Sequence, residues 1–221
     1  MPTSVHLVRH GEVHNPDKIL YGRMDGFRLS DRGQQMADLV AAHFAACVAG
    51  GQELPIATTI SSPLLRAQQT AQAIAGRLAT SLNTDHRLIE AGNDFEGTTM
   101  GSRPLGLLNP KWWPKLRNPV RPSWGEPYVD MAERMTAAIR DARDAHIGQG
   151  VVLVSHQLPI WVARLSHEGK RLWGDPRRRQ CSLCSVTTLD FRDDGQLAAV
   201  RYAQPAAQLA ASLSADAWSV K

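Results

Sequence analysis

The sequence is poor in cysteine and has no long apolar run. Its three cysteines, Cys47, Cys181 and Cys184, form an odd and sparse set, which excludes a secreted domain held together by a disulfide framework. Cys181 and Cys184 have the spacing of half a zinc site, but no second ligand pair nearby completes it, so we expect buried or partly buried free thiols. No apolar stretch approaches the ~20 residues that a membrane helix needs.

The chain also lacks a secretory signal and a concentration of positive charge. Residues 1–4 are not a charged segment followed by an apolar one, so we expect a cytoplasmic location. The net charge of +4 and the isoelectric point near 9.2 suit an anionic substrate. The one basic run, Arg177 to Arg179, follows Asp175 and Pro176 in a predicted surface turn without any nucleic-acid-binding motif. We therefore expect neither a nucleic-acid nor a membrane partner, and the sequence sets no expectation for the oligomeric state.

Length and composition are typical of one α/β domain. The 221 residues, 43% of them hydrophobic and 21% charged, are enough to bury a full sheet between two helix layers. Residues 185–191 and 197–202 resemble two strands joined by the turn at Asp193, Asp194 and Gly195. We expect a three-layer α/β/α sandwich with a mostly parallel central sheet and an antiparallel edge strand. A single domain then spans residues 1–221, with a tail over residues 204–221.

The first apolar run of the chain ends in an arginine, a histidine and a glycine. Residues 5–8 are rich in β-branched side chains and predict a buried strand of the parallel type. Arg9, His10 and Gly11 follow at once, and Gly11 permits a sharp turn that leaves His10 exposed at the end of the strand. Because ligands bind outside the carboxyl ends of the strands in open α/β sheets, His10 is a candidate functional residue.

A second strand is followed by an anion-binding pattern. Residues 56–60 predict a short strand, and the next residues predict a helix with Ser62 as its N-cap and Pro63 as its first residue. Arg66 then lies in the first turn, beside free backbone N–H groups and the positive end of the helix dipole. A surface ion pair is the alternative for Arg66, but the combination favours an anion site.

A further strand predicts a second histidine at the same edge of the sheet. Residues 151–154 are apolar and lead directly to Ser155 and His156, so His156 follows a parallel strand as His10 does. The helices between the strands have apolar residues at helical spacing, and Ser30 caps the first of them. The predicted buried positions of two helices are Met36, Leu39, Val40, Phe44 and Cys47 in one, and Val129, Met131, Met135, Ala138, Ile139 and Ala142 in the other.

Residues 98–127 are the least regular part of the chain. Six prolines interrupt any long helix or central strand, while three tryptophans and five basic residues supply apolar surface and charge. This composition predicts one of two things. Either the segment is a lid insertion that packs over the site and sets substrate choice, or it is a surface loop whose tryptophans cover the core.

Together these motifs resemble those of a known family. The signature of the histidine phosphatase superfamily, in its phosphoglycerate mutase-like branch, is similar to Arg9-His10-Gly11, to Ser61-Ser62-Pro63 with Arg66, Ala67, Thr70 and Ala71, and to Val154-Ser155-His156. The resemblance covers most of residues 4–166. It implies that Arg66 is the second phosphate-binding arginine beside Arg9, and that His156 is the final catalytic histidine.

The resemblance also implies roles for residues between these motifs. The Leu-x-Glu pattern of the family maps its proton donor onto Glu90, and Glu96 is the rival carboxylate, whose alternative role is to orient its loop. Asn15 and Gly22, in the polar loops that follow the first strand, are candidate substrate-binding residues. Asn15 lies one residue closer to His10 than the asparagine of the mutase pattern does.

These residues imply phosphoryl transfer through a histidine. We expect His10 to attack phosphorus through an unprotonated nitrogen and to form a phosphohistidine, while Arg9, Arg66 and His156 hold the phosphate oxygens. The other ring nitrogen of His10 then needs an acceptor, which a backbone carbonyl of the following turn can supply. Glu90 protonates the leaving oxygen and later takes a proton from the acceptor molecule.

We expect no metal and no cofactor in this chemistry. His6, His10 and His14 recur at every fourth residue, but strand-forming residues and Gly11 interrupt the run, so the spacing has no helical meaning. The sequence also shows no carboxylate cluster for a two-metal site.

The acceptor molecule decides the reaction class. A water acceptor makes the protein a phosphatase of a small phosphorylated substrate, and the hydroxyl of a phosphometabolite makes it a mutase. We expect hydrolysis, because residues 98–127 have no adjacent arginine pair like that of the mutase lid. A phosphate-sensing or protein-binding module without turnover is the alternative from another class. A missing catalytic residue would favour that alternative, and none is missing.

Overall fold

The computed structural model describes residues 1–99 and 125–209. In chain order, the strands and helices are β1 (Thr3–Arg9), α1 (Asp31–Ala49), β2 (Ile56–Ser61), α2 (Leu65–Leu78), β3 (Ser81–Thr84), α3 (Tyr128–Ala145), β4 (Gly150–Ser155), α4 (Gln157–His167), β5 (Val186–Phe191) and β6 (Leu197–Ala203). Two short 3-10 turns, His86–Leu88 and Pro176–Arg178, lie between them. Most of the predicted lid, residues 98–127, and most of the predicted tail, residues 204–221, fall outside the described residues.

The six strands form one mixed sheet in the order β3-β2-β4-β1-β5-β6. Strands β1 to β4 pair in parallel, β5 is antiparallel to β1, and β6 is antiparallel to β5. This confirms the predicted α/β fold with a mostly parallel sheet and an antiparallel edge, and the edge is a hairpin of two strands. The turn predicted at Gly195, whose φ is 77°, lies in this hairpin.

Helices cover both faces of the sheet because its central strands are apolar on both sides. Along β1, Val5 and Leu7 pack with residues of α3 and α4, whereas Val8 packs with residues of α1 and α2. Strand β4 alternates in the same way, with Leu153 on one side and Val152 on the other. Such continuous burial is typical of the inner strands of a parallel sheet, and it gives the predicted three layers.

The two predicted helix caps have different outcomes. Ser30 Oγ accepts a hydrogen bond from the Gly33 N–H at 2.9 Å, so Ser30 is the N-cap of α1 as predicted. The prediction of Ser62 as N-cap and Pro63 as first helical residue is wrong, because α2 begins at Leu65 and has no side-chain cap. The Ser62 hydroxyl instead lies 2.8 Å from Nε2 of His156. A contact across the sheet therefore replaces the local capping contact.

Most of the predicted buried helix positions are buried, but two are wrong. Leu39 of α1 is 41% exposed and Val129 of α3 is 57% exposed. Helical spacing predicts where the buried face is centred, whereas its width depends on the neighbouring helix and the sheet.

The three cysteines are free and buried, as predicted. Cys181 belongs to the hydrophobic cluster of α3 and α4, and Cys184 belongs to the cluster of α1 and α2, so the two thiols lie on opposite faces of the sheet. Burial raises the pKa of the Cys181 thiol to about 11 and that of the Cys184 thiol to about 12. In the part of the chain that the structure describes, no helix is long and apolar enough to cross a membrane.

Candidate active site

The two predicted catalytic histidines lie side by side. Strands β1 and β4 are parallel neighbours, and their register places Arg9 beside Ser155. His10 and His156 each follow by one residue, so the sheet brings their rings to a centroid distance of 5.1 Å. The His10 N–H also donates to the Ser155 carbonyl at 3.1 Å, which ties the ends of the two strands together.

The turn at Gly11 orients the His10 ring. A Cβ atom on Gly11 would lie 2.5 Å from the Gly33 carbonyl oxygen, so only glycine allows the turn to pack this closely on the start of α1. The Gly11 N–H donates to Thr70 Oγ1 at 3.1 Å, and the Gly11 carbonyl oxygen lies 2.7 Å from His10 Nδ1. Because a carbonyl can only accept, the ring proton resides on Nδ1 and Nε2 carries a lone pair. This supplies the backbone acceptor that the sequence analysis expected.

Electrostatics keep His10 uncharged. The prediction that the turn leaves His10 exposed is wrong, because the residue is 2% exposed. Burial holds its pKa well below the ordinary value of 6.5, and the Arg66 and Arg9 cations lower it further. Burial also holds the pKa of His156 well below 6.5, and His10 and the same two arginines lower it further. Both imidazoles are therefore neutral at neutral pH.

Arg66 is fixed from two sides. It lies in the first turn of α2, and its Nη2 atom donates to the Gly22 carbonyl at 2.6 Å. The guanidinium carbon stacks 4.7 Å from the centre of the Tyr21 ring. Although Arg66 is only 1% exposed, its Nε atom has no hydrogen-bond partner among the described residues.

Arg9 is held by the segment that precedes β5. Its Nη1 atom donates to the Cys181 carbonyl at 2.7 Å. The Nε atom of Arg9 is buried and has no partner in the described part of the chain. The Nδ1 atom of His156 is also buried without a partner in the described part of the chain, whereas Nε2 of the same ring lies within hydrogen-bond distance of Ser62 Oγ.

Three buried nitrogens around His10 thus have no hydrogen-bond partner among residues 1–99 and 125–209. They are Arg9 Nε, Arg66 Nε and His156 Nδ1. A buried donor without a partner costs about 1–3 kcal/mol. An anion is the ligand that best satisfies the donors of two guanidinium groups. The arrangement therefore has the chemistry of a preformed anion site around the His10 ring.

Glu90, the predicted proton donor, lines the same cavity as His10. It follows the 3-10 turn after β3, and its Oε1 atom accepts from the Ala91 N–H at 2.9 Å. Burial raises the pKa of Glu90 above its ordinary value of 4.5, which favours the protonated acid. The segment is anchored because Ser155 Oγ donates to the Leu88 carbonyl at 2.6 Å and Arg23 Nε donates to the Glu90 carbonyl at 2.7 Å.

Glu96 contacts the loop at Gly22 and Arg23, which fits the loop-orienting role that is its alternative. Its Oε1 atom accepts from the Arg23 N–H at 2.9 Å, and it packs against Gly22 so closely that a Cβ atom there would overlap the carboxylate. Glu96 lines a neighbouring depression, whereas Glu90 and His10 line the same cavity.

The two candidate substrate-binding residues of the loops have different positions. Gly22 lines the cavity, and its carbonyl is engaged by Arg66. The Asn15 side chain closes its own loop, since Nδ2 donates to the Ile19 carbonyl at 2.8 Å and Oδ1 accepts from the Ile19 N–H at 3.0 Å. A contact between Asn15 and substrate stays a prediction.

The cavity at His10 has a volume of about 470 Å³. Its wall contains several residues that the sequence analysis missed, namely Tyr21, Glu126, Tyr128, Gln157 and Arg179. Glu126 is neutralised between Arg23, at 2.9 Å, and Arg134, at 2.7 Å. Gly125 pairs with Asn93 in an isolated bridge, and both residues line the cavity.

Metal ligands are not grouped at this site. Among residues 1–99 and 125–209, no three His, Cys, Asp or Glu side chains lie together so that they could hold a metal ion.

The geometry agrees with a family model that matches residues 5–204, that of the histidine phosphatase superfamily, branch 1. The chain belongs to this superfamily. Phosphatases and phosphoglycerate mutases both occur among the proteins that this chain resembles. Rv0525 of Mycobacterium tuberculosis is 52% identical over 93% of this chain and 98% of its own length. The probable phosphoglycerate mutase GpmB of Escherichia coli O1:K1 is 30% identical over 88% of this chain and 87% of its own.

Solved phosphatase structures have the same fold. The phosphoserine phosphatase of Entamoeba histolytica, in complex with 3-phosphoglyceric acid, superposes with a TM-score of 0.71 at 23% identity. The superposition covers 92% of this chain and 99% of that chain. At this identity the likeness shows the fold alone.

Proposed function

We propose that this histidine phosphatase hydrolyses a phosphomonoester, without a metal ion, through a phosphohistidine on His10. One observation carries the proposal. His10 has its proton fixed on Nδ1 by the Gly11 carbonyl, and its ring lies among three buried nitrogens that have no described partner. Such a group presents a lone pair to an electrophile and offers donors to the oxygens around it.

Each step of the proposed reaction has a residue. His10 Nε2 forms a bond to phosphorus while the bond from phosphorus to the ester oxygen breaks, and Arg9, Arg66 and His156 hold the three other oxygens. Glu90, whose pKa burial raises above its ordinary value, gives its proton to the leaving oxygen. Water then attacks the phosphohistidine, and Glu90 takes a proton from that water as inorganic phosphate forms.

A small phosphorylated metabolite is the proposed substrate. The cavity volume of about 470 Å³ falls within the range of small-molecule sites, and its wall combines aromatic, amide and charged side chains. The cytoplasmic location stays a prediction, which cell fractionation tests.

Phosphoglycerate mutase activity is the second candidate, and the 30% identity to GpmB of Escherichia coli favours it. The two activities separate in one assay with 3-phosphoglycerate, run with and without a 2,3-bisphosphoglycerate primer. We expect release of inorganic phosphate to exceed formation of 2-phosphoglycerate in both conditions. Primer-dependent interconversion that outpaces phosphate release would replace the phosphatase with the mutase.

Metal independence and the nucleophile have a shared test. Hydrolysis of p-nitrophenyl phosphate should continue unchanged in EDTA and should be abolished by His10→Ala. Loss of activity in EDTA, restored by a divalent cation, would contradict the proposed mechanism.

A further inference from the structure

The second histidine has a partner that neither the family resemblance nor the comparisons assign. Ser62 is fully buried, and its Oγ atom lies 2.8 Å from His156 Nε2. The same Oγ atom accepts a hydrogen bond from the Leu64 N–H at 3.4 Å. The backbone holds the serine in place, since the Ser62 N–H donates to the Val154 carbonyl at 2.9 Å. Ser62 therefore joins the end of β2 to the residue that follows β4.

We propose that Ser62 is a positioning residue that fixes His156 in the Nδ1-protonated tautomer, so that His156 acts as a neutral hydrogen-bond donor to the phosphoryl group. The hydroxyl accepts from Leu64 and donates its own proton to His156 Nε2. The ring proton then resides on Nδ1, which is the buried atom that has no described partner. This inference rests on the proposed phosphoryl site at His10.

The opposite tautomer leaves more groups unsatisfied. With the proton on Nε2, His156 donates to Ser62, and the serine proton then has no acceptor among the described residues, because its only contacts are with the Leu64 N–H and the ring. The bare Nδ1 is buried without a donor as well. With the proton on Nδ1, the Nδ1 N–H is the one donor of this pair that has no partner among the described residues, and a phosphoryl oxygen supplies its acceptor.

A doubly protonated ring is disfavoured by its surroundings. His156 is fully buried beside His10, and the Arg66, Arg9 and Arg134 cations act on it. A third positive charge next to Arg9 and Arg66 would be buried and would be repelled by both cations. The serine therefore selects between two neutral tautomers.

Nitrogen NMR of histidine-labelled protein tests the tautomer directly. The His156 signals are assigned by their loss in His156→Gln. In the wild type we expect a protonated Nδ1 and a bare Nε2, both without and with saturating inorganic phosphate. In Ser62→Ala we expect the Nε2-protonated form to appear, and the Kd for inorganic phosphate to rise about tenfold, because one hydrogen bond to the anion is lost.

Ser61→Ala is the matched control. Ser61 is buried next to Ser62, but its Oγ atom donates to the Ser62 carbonyl at 2.8 Å and contacts neither histidine. We expect the wild-type tautomer and wild-type phosphate affinity in this variant. The conservative Ser62→Thr keeps the hydroxyl and should retain the Nδ1-protonated form.

A proton on Nε2 of His156 in the wild type, or on both ring nitrogens, would overturn the inference. Unchanged signals and an unchanged Kd in Ser62→Ala would do the same. The wild-type spectrum decides the tautomer even if Ser62→Ala fails to fold. Failure of the proposed phosphatase is distinct, since it would appear as absent turnover with the tautomer as described.

Discussion

His10 combines two requirements that usually conflict. A nucleophilic imidazole must be neutral, yet a site for a phosphate group must be cationic. Here burial lowers the pKa of His10, and the Arg66 and Arg9 cations that offer donors to an anion lower it further. The Gly11 carbonyl also contributes, because it holds the ring proton on Nδ1, which in the proposed mechanism is not the attacking nitrogen. In the proposed mechanism, the same few groups bind the substrate and prepare the nucleophile.

Glu90→Gln should separate chemistry from binding. The amide keeps the size of the side chain and an acceptor for the Ala91 N–H, but it cannot give or take the proton. We expect a pre-steady-state burst of p-nitrophenol from p-nitrophenyl phosphate, because that leaving group needs little protonation, followed by turnover about 10²-fold slower than in the wild type. The Kd for inorganic phosphate should change by less than about twofold, as judged by calorimetry.

Glu96→Gln is the matched control for Glu90→Gln. This carboxylate keeps an acceptor for the Arg23 N–H as glutamine and lies outside the His10 cavity. We expect kcat near the wild-type value. Equal loss of phosphate affinity and of turnover in Glu90→Gln would instead show that Glu90 supports the loop.

His6 should make folding stability depend on pH. It is fully buried, its Nδ1 atom lies 2.9 Å from Thr188 Oγ1, and burial lowers its pKa from 6.5 to about 4. As pH falls below 6.5, the unfolded chain takes up the proton before the folded chain does. Stability is therefore lost as pH falls from about 6.5 to about 4, by on the order of 3 kcal/mol in total.

Urea unfolding of the wild type and of His6→Asn, at pH values from 7.5 to 4, isolates this contribution. The buried histidines of the active site titrate in both proteins, so their effect cancels in the difference. We expect the free energy of unfolding to fall less steeply in the variant below pH 6.5. Parallel curves for the two proteins would contradict the assignment to His6.

At the scale of elements, the catalytic turn depends on a contact between two glycines. Gly11 follows β1, and Gly33 lies in the first turn of α1. A Cβ atom on Gly33 would overlap the Glu12 carbonyl oxygen, which belongs to the turn that carries His10. The first helix therefore fixes the turn that carries His10 by direct backbone packing.

Gly33→Ala should destabilise the protein by about 1–3 kcal/mol, because neither backbone segment can yield as a flexible side chain does. Gly76→Ala is the control within a helix. Gly76 lies in α2, and nothing lies within 4 Å of its would-be Cβ atom, so we expect stabilisation by up to about 1 kcal/mol. Urea unfolding measures both, and equal effects of the two substitutions would show that the glycine contact is not tight.

The elements could be predicted where their causes are local. Residues 151–154 are apolar on both faces, and residues 5–8 are apolar except for His6, so burial on both sides follows from the sequence. The Ser30 cap depends on residues within one turn. Val129 shows the limit, because it lies about 200° around α3 from the buried Met131 and its exposure depends on what packs there.

The site was predicted where a motif marks it and missed where distant segments meet. Ser62 satisfies the local rule for a helix start, yet its partner is His156, 94 residues away. Arg179 belongs to a run that predicts a solvated loop, but this loop returns to β5 beside β1 and brings Arg179 to the cavity wall. No local signal in the sequence indicates either contact.

At the scale of the whole molecule, the sheet assembles the site from segments far apart in the chain. His10 follows β1, Arg66 follows β2, Glu90 follows β3, and His156 follows β4. Because these four strands are parallel, their carboxyl ends meet at one edge. The chemistry therefore depends on the topology, and a single residue at that edge, His10, should carry the phosphoryl group.

Rapid-quench labelling tests this claim most directly. The protein is mixed in EDTA with a radiolabelled phosphomonoester that it turns over, quenched in alkali, and mapped by mass spectrometry. The account predicts an alkali-stable, acid-labile phosphoryl group on His10, retained in the control His14→Ala and absent in His10→Ala. Label on another residue, or turnover in which no label is trapped on His10, would contradict it.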